Sequence, residues 1–309
     1  MQASKRHASA VASPPSRSTP VRLGASDGWT LCGRLLAPSE PPLGVIVAGH
    51  AMMVDSRTIY RRRGPSLAQT LVEAGFLVLV VDLRGHGQSE PRAAAGGRWS
   101  YHDLVDDVGV YIHWARQRFP QLPLALVGHS LFGHVALAYL SRVPQAEVAA
   151  VVAMGAHIWN PRFARRWWRR PLQRMIMAGS RALGWAWGYV PIVSLRAGST
   201  DEALPYWQDL SGFVFANGWT APDGFDYRAN LGTVRVPVLH VISRGDRWIA
   251  PPEEAMQFSA PLPRRELMLL GDESQPAAAP THMSMVTRAN SAPLWQEVAF
   301  WLRRRLARQ

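Results

Sequence analysis

The stretch LPLALVGHSLFGHVA, residues 122–136, sets a serine between a short apolar run and a helix-forming one. A serine on the sharp turn between a buried strand and a helix has its hydroxyl lifted clear of the sheet. There a base and an incoming carbonyl can both reach it. Ser130 is therefore the candidate nucleophile. The pattern for such an elbow is G-x-S-x-G; Gly128 and Ser130 fit it, Phe132 stands where the second glycine belongs, and Gly133 follows one place late. An activated serine needs a base, and the base needs an acid to orient it. Downstream, VLHVISRGDRWIAP carries Asp246 just past an apolar run, and THMSMV carries His282 after the run ELMLLG. Asp272 and Glu273, in the loop before His282, are the alternative acids. His129, His86 and His134 read as packing or turn-bracing groups, and Asp82 with Arg84 as a structural ion pair or turn.

Apolar runs at 45–48, 76–81, 124–127, 148–154, 236–242 and 266–270 read as buried parallel strands, by length and by flanking Gly or Pro. Helical stretches at 64–74, 101–119, 132–141, 252–258 and 295–307 alternate with them. This alternation predicts an α/β fold with right-handed crossovers and a mostly parallel sheet covered on both faces. Residues 21–36, with the turn Asp27-Gly28, predict an antiparallel hairpin at the sheet edge. Ser130, Asp246 and His282 then fall past strand ends, at one rim.

The alternation breaks over residues 157–230, which hold seven of the 13 tryptophans and nine arginines. Ligands of open α/β sheets bind outside the carboxyl ends of the strands, so an insertion leaving from that edge is placed to roof the site. The expected organisation is a disordered extension over 1–20, a core of 21–156 and 231–309, and a helical Trp/Arg-rich cap over 157–230. A helix over 165–182 would show Trp168, Leu172, Met175, Ile176 and Gly179 on one side and arginines on the other. Such a surface can dock on the core, line an acyl pocket, or lie on an anionic bilayer with arginines snorkelling.

At 309 residues, with 48% hydrophobic and 18% charged residues, the chain can bury a sizeable core. Its net charge of +12 is nearly all arginine, Lys5 being the sole lysine. That bias fits base composition, or attraction to anionic lipid or acidic substrate. No nucleic-acid-binding signature accompanies it. The single cysteine, Cys32, excludes an internal disulfide and any multi-cysteine metal site. The first twenty residues lack the apolar stretch of a secretory signal, and the run near 182–195 is too broken by Gly184, Gly188 and Pro191 for a membrane span. A cytoplasmic protein, at most peripheral to a membrane, is expected.

The order Ser, Asp, His is the one found in α/β hydrolases, and three further stretches strengthen the likeness. VVDLRGHGQS, residues 80–89, matches the D-x-R-G-x-G-x-S loop after the fourth strand of that superfamily. VIVAGHAMM, residues 45–53, sits at its H-G-x oxyanion loop, with His50-Ala51 in place of His-Gly, and THMSMV before WQEVAFWL matches its terminal histidine and closing helix. Over residues 25–308 the chain resembles α/β-hydrolase-fold serine hydrolases, within them bacterial esterases near the monoacylglycerol lipases and serine aminopeptidases. The resemblance implies Ser130 as nucleophile, His282 as base and Asp246 as its orienting acid. It also implies backbone N–H groups of Leu131 and Met52 as oxyanion donors, and neither metal nor organic cofactor. His50, Phe132, Trp159 and Trp168 are the candidate pocket residues. The reaction implied is cleavage of carboxylic esters with an apolar acyl or alcohol part through an acyl-enzyme. The same triad would also serve an acyltransferase, thioesterase or peptidase. A binding protein that kept the fold and lost turnover is the reading from another class, because Ala51 and Phe132 depart from the pattern.

Overall fold

The computed structural model describes residues 17–307. The chain opens with β1 (Arg17–Gly24) and β2 (Thr30–Ala37), an antiparallel hairpin turning at Gly28, where φ is +88°. The predicted hairpin is present and longer than expected. Residues 17–20, assigned above to the extension, are the first half of β1, and residues 1–16 lie outside the described residues.

Next come β3 (Val45–Gly49), α1 (Leu67–Glu73), β4 (Leu77–Asp82), α2 (Tyr101–Arg118), β5 (Leu124–His129), α3 (Leu131–Arg142) and β6 (Ala150–Met154). An insertion follows: α4 (Arg169–Trp187), two-residue strands β7 (Tyr189–Val190) and β8 (Glu202–Ala203) pairing with each other, and α5 (Leu204–Ala216). The chain closes with β9 (Val238–Ser243), α6 (Pro252–Phe258), β10 (Arg265–Leu270), α7 (Ser284–Thr287) and α8 (Ala292–Leu306). The eight-stranded sheet runs β1-β2-β4-β3-β5-β6-β9-β10, parallel from β4 to β10.

Alternation along the strands explains why both faces are covered. Val45, Val47, Leu79 and Val81 join one buried cluster with residues of α2 and α3. Ile46, Ala48, Val78 and Val80 join another with residues of α1 and α8. A period-two strand apolar on every residue can only be satisfied between two layers. Helix starts are locally encoded: Ser100 accepts from the Asp103 N–H at 3.1 Å, and the Asp103 carboxylate accepts from the Ser100 N–H at 2.7 Å, a capping box that opens α2.

The insertion leaves at the end of β6 and returns before β9. The predicted helix is there but begins at Arg169, and its inward face differs from the expected one. Arg169 is buried, donating to Glu254 Oε1 at 2.8 Å and to the Trp248 carbonyl at 3.0 Å. Anchoring that arginine turns Gln173 and Met177 inward and leaves Met175 66% exposed. A charge-assisted contact thus overrode the apolar stripe as the determinant of helix rotation.

Candidate active site

Ser130 occupies the turn between β5 and α3 at φ +51°, ψ −107°, a conformation that side-chain-bearing residues seldom adopt. Its N–H is fixed by the Met154 carbonyl at 2.8 Å. The strand and helix on either side come unusually close. A Cβ on Gly128 would lie 2.3 Å from the Gly133 nitrogen, and one on Gly133 would lie 2.9 Å from Ala156 Cβ. The late glycine therefore supplies the close approach that the motif's missing glycine was expected to supply.

Phe132, expected in the pocket, is fully buried elsewhere. Its ring fills the space over Gly49 at the end of β3, where a Cβ would lie 2.2 Å from ring atoms, and neighbours Tyr111 at 6.2 Å between centroids. The bulky residue is accommodated because the facing strand residue has no side chain.

His282 follows β10 and donates through Nδ1 to Asp246 Oδ2. The other Asp246 oxygen accepts from the Ile249 and Ala250 N–H groups at 3.1 and 3.0 Å. Burial alone would raise this carboxyl. The hydrogen bond and charge of His282, with the two backbone donors, outweigh it and hold the group below the usual carboxylate range. With Nδ1 donating, Nε2 of the neutral ring is left with a free lone pair. The ring of His129, the residue before Ser130, lies 4.9 Å from that of His282, and His129 Nε2 donates to the His282 carbonyl at 3.0 Å. A Cβ on Gly155, next to the carbonyl that holds Ser130, would lie 3.2 Å from His282 Cε1. The imidazole and the serine turn are thus neighbours, although no hydrogen bond joins Ser130 and His282 among the described residues.

The alternative acids are elsewhere: Asp272 is exposed and accepts from Ser274, and Glu273 is 86% exposed beside Arg244. Asp82 and Arg84 do not pair with each other. Asp82 accepts from the Ser56 and Gln88 N–H groups, while Arg84 pairs with Asp107 at 2.7 Å and with Asp27.

The N–H groups of Leu131, first in α3, and of Met52, after β3, have no acceptor among the described residues. The loop carrying Met52 is held on both sides. The Phe132 N–H donates to the His50 carbonyl at 3.2 Å, and His50 Nε2 accepts from the Leu83 N–H at 3.0 Å. His50 Nδ1 donates to the Ala51 carbonyl at 2.7 Å, so the ring is neutral, and burial with the nearby His86 charge lowers it to about 4. His50 is fully buried and braces the loop; it is not among the residues that line the cavity beside Ser130.

A cavity of about 150 Å³ opens beside Ser130, lined chiefly by Met52, Met53, Ile158, Trp159, Ile176, Met177, Trp207, Leu210, Val214 and Ile249, with His134 and His157 as its further polar residues. Trp159 is where it was expected, fixed by donation to the Ile249 carbonyl at 2.9 Å. Trp168 is not: it lines a separate cleft of about 790 Å³ with Arg165, Arg166, Arg244, Arg247 and Trp248. His134 stacks on Tyr101 and bonds its hydroxyl at 2.9 Å; chiefly through burial it is lowered to about 3.

The cavity wall from α5 was not foreseen, because α5 is apolar nearly all round and carries no motif. Met53 and Glu202 were missed as well. The Met53 N–H donates to Glu202 Oε1 at 2.7 Å, a contact across 149 residues with no local signal. Among the described residues no cluster of His, Cys, Asp and Glu could hold a metal ion, and no helix is long and apolar enough to cross a membrane.

Residues 42–189 match the family model described as serine aminopeptidase, S33. Over 132 residues the chain is 33% identical to a monoacylglycerol lipase of Mycolicibacterium smegmatis, covering 42% of this chain and 41% of that one. Over 139 residues it is 29% identical to the Homo sapiens monoglyceride lipase, covering 45% of this chain and 44% of that one. The chain thus matches less than half the length of these curated relatives. The fold likeness extends over nearly the whole chain: a Pyrococcus furiosus esterase superposes with a TM-score of 0.60 at 17% identity, covering 94% of this chain and 93% of that one. This chain has the α/β-hydrolase fold, and within it residues 42–189 are similar in sequence to the serine aminopeptidase family.

Proposed function

We propose that the chain is a serine hydrolase of carboxylic esters with an apolar acyl group, working through an acyl-enzyme. One arrangement carries the reading: a serine on a strained turn, facing an apolar cavity, beside an imidazole whose far nitrogen is held by a buried carboxylate. Ser130 Oγ attacks the ester carbonyl as His282 Nε2 takes its proton. The Leu131 and Met52 N–H groups receive the oxyanion, each donor contributing roughly 3–4 kcal/mol to transition-state stabilisation. His282 then protonates the leaving alcohol and, in the second half, activates water. Asp246 keeps the imidazole in the required tautomer and stabilises the imidazolium. The serine–histidine contact forms in the substrate complex, since catalytic hydrogen bonds often run long before substrate binds.

The segment 157–230 acts as a cap, with Trp159, α4 and α5 closing the acyl pocket. At about 150 Å³ the pocket matches the size of an apolar cavity that takes up benzene, which points to acyl groups of about six carbons. A chain-length series of p-nitrophenyl esters tests this. Turnover should peak near six carbons and fall to background in Ser130→Ala. Turnover of amides or thioesters with esters untouched would overturn the choice of substrate.

The exposed face of α4 favours a second property. Trp185 is 65% exposed, Trp167 just before the helix is 80% exposed, and Arg170 and Arg174 are exposed on the same side of the helix as Trp185. Such a face suits the headgroup region of an anionic bilayer. Flotation with anionic vesicles at low salt should carry the protein upward; protein remaining at the bottom would reject it.

A further inference from the structure

The turn carrying Met52 is held by the insertion as well as by the core sheet. Met53, its next residue, sits in the left-handed region at φ +62°, which disfavours residues bearing a side chain. Its N–H donates to Glu202 Oε1 at 2.7 Å, and its carbonyl accepts from the Ser199 and Thr200 N–H groups at 2.8 and 3.1 Å. Both polar groups of the Met53 backbone are therefore taken by residues 199–202. Gly198 completes the grip: a Cβ there would lie 2.4 Å from the Met53 oxygen and 2.7 Å from its Cβ.

Glu202 is itself pinned. It is fully buried, and Oε1 also lies 3.2 Å from His86 Nε2, while His86 Nδ1 lies 2.6 Å from the Arg84 carbonyl. A carbonyl can only accept, so His86 Nδ1 donates to Arg84, and Nε2 is the ring nitrogen that faces Glu202. Burial disfavours a charge on this ring, but Glu202, the Arg84 carbonyl and the more distant Asp82 outweigh it and raise His86. The neighbouring ring, 5.1 Å away, is the neutral His50 that braces the other side of the same loop.

We propose that Glu202 is a positioning residue for the oxyanion site: with residues 198–200 it clamps Met53 and thereby aims the Met52 N–H at the developing oxyanion. The inference rests on the serine-hydrolase reading above. It makes the cap part of the catalytic apparatus, because half of the oxyanion site keeps its shape only while the cap is seated. Removing an oxyanion donor outright costs about 10²–10³ in kcat. Releasing the clamp misaims a donor without deleting it, so the expected loss is about 10- to 100-fold.

The test is steady-state hydrolysis of p-nitrophenyl hexanoate by Glu202→Ala, Glu202→Gln and Gly198→Ala, each normalised to active sites titrated with a fluorophosphonate. Glu202→Ala and Gly198→Ala should lose kcat about 10- to 100-fold with KM within twofold. Affinity for a trifluoromethyl ketone, which forms the tetrahedral adduct, should fall by the same factor as kcat/KM. Glu202→Gln keeps an oxygen for the Met53 N–H and should stay within about fivefold of wild type. If Glu202→Ala does not fold, Gly198→Ala carries the test, since it pushes on the same peptide from the other side and leaves the buried Glu202–His86 contact intact. Folded, titrated Glu202→Ala or Gly198→Ala with kcat within twofold of wild type would overturn the proposal, as would a rise in KM alone. Wild type that neither labels nor turns over would instead defeat the hydrolase reading, and the clamp with it.

Discussion

Replacing Gly49 with alanine drives a methyl group into the ring of Phe132, because the new Cβ would stand 2.2 Å from two ring carbons. The ring cannot swing away: it is fully buried, with Tyr111 alongside, and its own N–H is bonded to the His50 carbonyl. Overpacking of this kind costs about 1–3 kcal/mol. Phe132→Ala alone empties the same space and should cost about 3–5 kcal/mol. In the double variant the alanine methyl occupies part of the vacated volume. The double should therefore be less destabilised than the sum of the singles, by about 1–2 kcal/mol. Urea unfolding of the four proteins reads the cycle, with equal m-values as the condition for comparing midpoints. Against a total stability of roughly 5–15 kcal/mol these shifts are easily resolved. Singles that add within about 0.5 kcal/mol would refute the claim that Gly49 is the residue that makes room for Phe132.

Asp246→Asn should lower kcat by about four orders of magnitude at nearly unchanged fold, as judged by circular dichroism, because the imidazole would then favour the wrong tautomer; a loss under tenfold would remove Asp246 from its role. Burial is the largest cause lowering His129, His134 and His240 to about 3, so these rings stay neutral in the folded state while their unfolded counterparts titrate near 6.5. Stability should hence fall as pH drops below about 6.5, by about 1.4 kcal/mol per pH unit for each such histidine. In His240→Gln the slope between pH 6 and 4 should shrink by about that amount, and an unchanged slope would contradict the assignment. Met177→Ala widens the cavity floor and should move the preferred acyl chain two or more carbons longer, read as kcat/KM across the ester series; an unmoved optimum would place the acyl group elsewhere.

What the chain discloses without coordinates is the part encoded locally. Strand positions follow from apolar runs only four to seven residues long, and the start of α2 follows from Ser100 and Asp103. Ser130, Asp246 and His282 could be proposed together because each lies past such a run, and strand ends of a parallel sheet gather at one rim. Contacts made across the fold were hidden. Phe132 read as a pocket residue because nothing in its neighbourhood shows that Gly49 faces it. The rotation of α4 was misjudged because the arginine that fixes it meets Glu254, 85 residues later. Glu202 was invisible for the same reason: a lone glutamate in a two-residue strand has meaning only beside Met53 and His86.

The central claim is that Ser130 is a nucleophile made reactive by the His282–Asp246 pair. Intact-mass and peptide mass spectrometry after exposure to a fluorophosphonate addresses it most directly. A single adduct on the peptide bearing Ser130 is predicted, absent in Ser130→Ala and formed far more slowly in His282→Gln. Folded wild-type protein that stays unlabelled, or an adduct on any other residue, would contradict the account.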